Sequence, residues 1–223
     1  MTPEDPMSEP KSRKPTVQPL LTSPQWNPLL GLALVPLPAL AFLFLDERSV
    51  RMENHWPDVL VTFAALTSDF VMLIPVMSTL ALFTGVALTL HAMAAAGKGL
   101  YTMASVMMAS GITHVLKPLI GRARPTVFAE HGLFGRKALD GAFDYVSFPS
   151  GHATHAGALF AALAFCFPKY RLVFLVLALW FAMSRILLGV HYPSDVIAGL
   201  LVGLGSAFVL ARLAARRGLV FSR

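Results

Sequence analysis

Apolar residues in this chain are gathered into six blocks. Pro28 to Leu45, Phe70 to Leu90 and Gly99 to Leu116 carry no charged residue, and neither does Ala153 to Phe167. Leu172 to Val190 is interrupted only by Arg185, and Val196 to Ala211 completes the set. A helix that crosses the hydrocarbon needs roughly 20 apolar residues, within a range of about 17–25. The first three blocks meet this, while the fourth and sixth rely on flanking polar residues at the interface. The pattern predicts an all-α integral membrane bundle of six transmembrane helices. The first block does not read as a cleavable leader: it starts late, lacks a small-residue cleavage site and contains Pro36 and Pro38. Between the first two blocks, a short interfacial helix is expected over Val59 to Leu66.

Residues 1–27 are rich in Pro, Ser, Thr, Lys and Glu and read as a disordered tail. The expected membrane domain then covers 28–215, and 216–223 form a short basic C-terminus. Six spans put both termini on one face with Lys11, Arg13, Lys14, Lys98, Lys169, Arg171, Arg212, Arg216, Arg217 and Arg223. The other face holds most of the acids, among them Asp46, Asp58, Asp69, Asp144 and Asp195, although Arg48, Arg51, Arg122, Arg136 and Lys137 lie there too. The positive-inside rule makes the first face cytoplasmic. The loop 118–152 and the turn 189–195 then face outward, in a multi-pass protein of the plasma (inner) membrane.

Composition agrees with this reading. Of 223 residues 56% are hydrophobic and 13% charged, about half the charged share of soluble domains. The net charge of +6 is first a topology signal, so the expected partners are a bilayer and its lipids, not nucleic acid. The single cysteine, Cys166, sits in an apolar block, and no disulfide framework is available.

Three polar clusters stand on the outer face. In KPLIGRARP, Lys117, Arg122 and Arg124 place three cations within eight residues, on the side that should be cation-poor. Snorkelling would account for any one of them; together they look like an anion site. In PSGH, Ser150 could be a plain helix cap. Yet the first N–H groups of a helix lack intrahelical partners and carry the positive dipole end, which suits a phosphate. Gly151 lets an anion approach the backbone, and His152 adds a titratable proton. In SRILLGVHYPSD, Arg185 is an ionisable residue near the end of a span, a functional candidate by default. Asp195 could be a helix cap, or it could hold Nδ1–H of His191 and leave Nε2 free as a nucleophile.

Together the clusters match K-x6-RP, PSGH and SR-x5-H-x3-D without departure, at Lys117, Arg124, Pro125, Pro149, Ser150, Gly151, His152, Ser184, Arg185, His191 and Asp195. That tripartite pattern resembles the signature of the type 2 phosphatidic acid phosphatase superfamily. The motifs occupy 117–195 and the six-span layout extends the resemblance over about 28–215. The resemblance implies that His191 attacks phosphorus to form a phosphohistidine, that Asp195 orients it, and that His152 protonates the leaving oxygen and then activates water. Lys117, Ser150, Gly151, Arg124 and Arg185 would bind the phosphate, with no metal and no cofactor. A zinc site from His152, His155 and His191 is the competing idea, and it leaves the cations without a role.

The expected activity is hydrolysis of a lipid phosphomonoester or diphosphate: phosphatidic acid, phosphatidylglycerophosphate, undecaprenyl diphosphate or lipid A 1-phosphate, with a lean toward undecaprenyl diphosphate or a related bacterial phospholipid. A phosphotransferase using the same site, or a non-catalytic lipid-binding or transport protein, are the alternatives. Oligomeric state is open. Elsewhere, His155 reads as packing, His114 as buried in the third span, Arg122 as support lying outside the signature, and Trp56 and Tyr192 as interface aromatics. Phe128, Phe134 and Phe143 would let the long loop touch lipid.

Overall fold

The computed structural model describes residues 33–52, 56–132 and 135–216. The expected tail 1–27, the start of the first block, Phe134 and residues 217–223 lie outside the described residues. Within them the fold is helical, with only one isolated antiparallel bridge, Arg122 to Arg136. The helices are α1 (Leu37–Phe44), α2 (Asp46–Met52), α3 (Asp58–Ser68), α4 (Leu73–Thr89), α5 (Met93–Ile120), α6 (Pro125–His131), α7 (Gly151–Cys166), α8 (Arg171–Leu187) and α9 (Pro193–Arg216).

By length and composition, three described segments are fit to cross a membrane: Met93–Ile120, Pro168–Leu187 and Pro193–Arg216. A fourth would be the pair α3 and α4, which meet at a 53° bend. The large apolar side chains point outward: Leu172, Leu175, Val176 and Leu179 on α8, Ile74, Leu82 and Phe83 on α4, and Leu100, Val115 and Leu119 on α5 are all exposed. In water so much apolar surface would drive association; in hydrocarbon it is the solvated face.

The bend has a local cause. Pro75, in the first turn of α4, has no N–H for the carbonyl of Val71 four residues back, and its ring would collide with it. The chain leaves the helix at Met72 (ψ 152°) and restarts. The Val71 carbonyl instead accepts from His155 Nδ1 of α7, 3.2 Å away. The helix expected over 59–66 is thus the longer α3, and it is not a solitary surface helix. It lies along α8, with Trp180 Nε1 donating to Thr67 Oγ1 at 3.0 Å and the Phe63 and Trp180 rings 5.0 Å apart.

α5 is 28 residues long, about 42 Å at 1.5 Å per residue, against roughly 30 Å of hydrocarbon. Lys117 lies in its last turn, and Gly121 ends it in the left-handed region (φ 59°). Thr102, Ser105, Val106, Ala109 and Thr113 mark its buried face. His114 follows Thr113 by about 100° around the helix and is exposed, which corrects the expectation that it is buried.

α7 and α9 make the most extensive helix pair among the described residues. Small residues allow it, as at many membrane crossings. A Cβ on Gly203 would lie 2.4 Å from both the Ala158 nitrogen and the Thr154 oxygen, one on Gly157 2.8 Å from the Leu200 oxygen, and one on Gly199 2.6 Å from the Ser150 oxygen. α5 joins through Thr113 to Thr154 (Oγ1 to Oγ1, 3.0 Å) and through Tyr101 OH to the Ala207 carbonyl (2.8 Å). These crossings bring the start of α7, the start of α9 and the ends of α5 and α8 to one end of the bundle.

Candidate active site

That end gathers all three polar clusters. The backbone N–H of Ser150 donates to the Asp195 carbonyl at 3.0 Å, which ties the start of α7 to the start of α9. Ser150 caps α7, its Oγ accepting from the Ala153 N–H at 3.5 Å. The first turn of α7 then opens with Gly151, where a Cβ would stand 3.9 Å from Lys117 Cε. Lys117 thus arches over a helix N-terminus, and its Nζ donates to the Val146 carbonyl at 2.5 Å.

Arg124 is fixed by two carbonyls, Nε to Phe143 at 2.9 Å and Nη1 to Val190 at 3.0 Å, with its guanidinium 4.0 Å from the Phe143 ring. Burial lowers its pKa from the ordinary value, opposed by Asp195 and Asp144; a guanidinium stays charged in such a setting. Arg185, in the last turn of α8, accepts the His191 N–H on its carbonyl at 3.2 Å. Among the described residues its buried Nε has no hydrogen-bond partner, and neither does the buried Nε2 of His152, which lies 3.6 Å from Asp69 Oδ1 across the bend between α3 and α4. Buried polar nitrogens are rarely left unmatched.

His191 sits in the turn between α8 and α9 and is 4% exposed. Its Nδ1 lies 3.5 Å from Asp195 Oδ2 and 3.4 Å from Ser147 Oγ, long contacts of the sort that tighten when substrate arrives. Asp195 is held on every side. Oδ2 accepts from Ser147 Oγ at 2.6 Å and from the Tyr192 N–H at 3.1 Å, while Oδ1 accepts from Arg122 Nη1 at 2.5 Å. Burial pushes the His191 imidazole down to about 4; Asp195 pulls it up, and Arg124 and Lys117 add to the depression. The ring is therefore neutral near pH 7, with Nδ1 turned to Asp195 and Nε2 the nitrogen left for chemistry.

The structure brings together Lys117, Arg124, Ser150, Gly151, His152, Arg185, His191 and Asp195. It does not bring His155 in with them as a ligand set. His155 spends Nδ1 on Val71 and has Nε2 3.3 Å from Ser110 Oγ, and among the described residues no three of His, Cys, Asp and Glu converge as a metal site would need. Tyr192, expected at an interface, is fully buried, its ring 4.1 Å from the Arg122 guanidinium.

Ser147, Asp46 and Ser194 are the residues the sequence reading passed over. Ser147 stands three residues before Ser150 in a loop, with nothing local to mark it. Asp46 follows an apolar block, where an acid ordinarily signals only the water boundary; here it is buried against Arg122.

The family model described as the PAP2 superfamily matches residues 98–219. A lipid A 1-phosphatase of Rhizobium johnstonii is 45% identical over 123 residues, covering 55% of this chain and 50% of that protein. A decaprenylphosphoryl-5-phosphoribose phosphatase of Mycobacterium tuberculosis is 38% identical over 102 residues, 45% of this chain and 52% of the relative. A lipid A 4'-phosphatase of Bacteroides thetaiotaomicron is 33% identical over 100 residues, 40% of each chain. The chain spans about half the length or less of these curated relatives. No solved structure matches.

Proposed function

Because the chain belongs to the PAP2 superfamily, we propose that it is a lipid phosphatase that cleaves the phosphate ester of a membrane lipid through a phosphohistidine. The observation that carries this reading is the pair of unmatched buried nitrogens, Arg185 Nε and His152 Nε2, beside Lys117, Arg124 and the open first turn of α7. The geometry supports a two-step transfer. Nε2 of His191 attacks phosphorus and the bond to the lipid oxygen breaks, with a proton passing from His152 to that oxygen. His152, now neutral, takes a proton from water; the oxygen attacks phosphorus, the P–N bond breaks and phosphate leaves. The fixed cations and the Gly151 N–H stabilise the charge on the equatorial oxygens, where preorganised donors contribute most.

For the substrate we propose a glycolipid carrying a phosphate at the anomeric position, as in lipid A 1-phosphate. The 45% identity to a lipid A 1-phosphatase supports this over the undecaprenyl diphosphate that the sequence alone favoured. Purified protein with lipid A 1-phosphate, lipid A 4'-phosphate, phosphatidic acid, phosphatidylglycerophosphate and undecaprenyl diphosphate, all in excess chelator, provides the test. Phosphate release is expected from the 1-phosphate and expected to persist in chelator, since Lys117, Arg124 and Arg185 supply the positive charge. Release from none of the five by folded protein would remove the phosphatase reading, and strict restoration by a divalent ion would remove the metal-free mechanism.

We also propose six spans in a plasma membrane, with this site at the non-cytoplasmic surface. The charge asymmetry supports that orientation. Asp140 is exposed in the loop before α7. In a Cys166→Ala background, Asp140→Cys is expected to react in intact cells with an impermeant thiol reagent, and Ser222→Cys is not. The reverse pattern would invert the topology.

A further inference from the structure

A second buried charge network lies directly beneath the proposed nucleophile, and one of its two carboxylates, Asp46, comes from the N-terminal helix α2. Asp46 and Asp195 are fully buried, and Arg122 between them is 7% exposed. Arg122 Nη2 donates to Asp46 Oδ2 at 2.6 Å and Nη1 to Asp195 Oδ1 at 2.5 Å. Ser194 closes the ring. Its N–H donates to Asp46 Oδ1 at 3.0 Å, its Oγ–H donates to Asp46 Oδ2 at 2.6 Å, and its Oγ accepts from Arg122 Nη1 at 2.6 Å. None of Asp46, Arg122 and Ser194 belongs to the signature, and Asp46 lies outside residues 98–219 that the family model covers.

We propose that Asp46 is a positioning residue for the His191–Asp195 pair, acting through Arg122. This inference rests on the phosphatase reading. As His191 bonds to phosphorus its ring becomes cationic, and the negative charge of Asp195 stabilises that change. Arg122, paired with Asp195 alone, would cancel that charge in a buried setting where charges act strongly. Asp46 takes up the other edge of the guanidinium. The three groups together keep one net negative charge, and Asp195 keeps Oδ2 turned to His191.

Asp46→Asn preserves shape and removes the charge. With the best lipid of the panel, kcat is expected to fall about 10–100-fold and KM to change by less than about twofold, because the phosphate contacts are untouched. Assays quenched in alkaline denaturant, in which the P–N bond survives, should trap less phosphohistidine from radiolabelled substrate, since its formation becomes the slow step. Competitive inhibition by inorganic phosphate, which reads the binding site without chemistry, should be unchanged. Adding Arg122→Gln to Asp46→Asn restores one net negative charge around Asp195 and should recover part of kcat. A merely structural role predicts the opposite, further loss. Wild-type kcat in Asp46→Asn, a double variant worse than the single one, or an Asp46→Asn protein that no longer binds inorganic phosphate each overturns the proposal. A wild-type protein that releases no phosphate from any lipid would instead remove the reading beneath it.

Discussion

His191→Ala is expected to lower turnover by about 10^4-fold or more, the scale on which loss of a covalent nucleophile is felt. Water at the vacated position has neither the reach nor the nucleophilicity of the imidazole. The fold should survive, because Asp195 does not depend on His191 for its place: Arg122, Ser147 and the Tyr192 N–H hold it. The measurement is phosphate release from detergent-purified protein whose thermal midpoint matches wild type. Near-normal turnover in such a protein would end the assignment. His152→Ala separates the second role. It should be severely impaired on a lipid whose leaving alkoxide is poor and much less so on an aryl phosphate, which leaves without a proton. Equal loss on both would show that His152 does not serve as the acid.

Gly203→Ala is expected to cost stability and activity together, although residue 203 lies on α9, more than two turns below Asp195. Its new Cβ would stand 2.4 Å from the Ala158 nitrogen and the Thr154 oxygen. Both are backbone atoms, so no side chain can swing aside and the helices must part. Overpacking of a close-packed contact typically costs about 1–3 kcal/mol, and occasionally more; a backbone clash belongs at the upper end. Parting α7 from α9 also moves His152 and His191 away from one another, and even 1 Å of misplacement can cost about 100-fold in rate. Gly205→Ala is the control: on the same helix, its Cβ would meet nothing within 4 Å among the described residues, and it should be neutral. Equal thermal midpoints for the two variants would show that the crossing is looser than described.

The apolar blocks delimit α4, α7, α8 and α9 to within a few residues, because Gly, Pro and charged residues bound each run. α5 is longer than its block: Met93 to Lys98 and Lys117 to Ile120 continue the helix beyond the uncharged stretch. What local pattern did not convey is how the runs join. α3 and α4 form a bent pair because Pro75 breaks the hydrogen-bond ladder, and only the partner histidine, His155, shows where the freed carbonyl is satisfied. The site residues sit in motifs whose spacing is local, and the structure gathers them at one end of the bundle. Their supports are not local. Asp46 and Ser194 are 148 residues apart, and Ser147 and Asp195 are 48 apart; each looks like an ordinary boundary or loop residue until the helices cross. His114 departs from the expectation for a related reason: burial on a membrane helix follows which face meets a neighbour, and small residues, not large ones, mark that face here. Tyr192 lies in the turn before α9, and its ring is buried against Arg122.

The ring of Asp46, Arg122, Ser194 and Asp195 also bears on how portable this module is. Residues 98–219 contain every position of the phosphatase signature, and a designer of chimeras would be tempted to cut there. Such a cut leaves Arg122 buried with one carboxylate in place of two. A buried ion stripped of a partner costs about 3–5 kcal/mol, comparable with the whole margin of many domains. The transplantable unit is therefore larger than the signature: it has to bring α1 and α2, or supply an acid at the same register from the recipient scaffold.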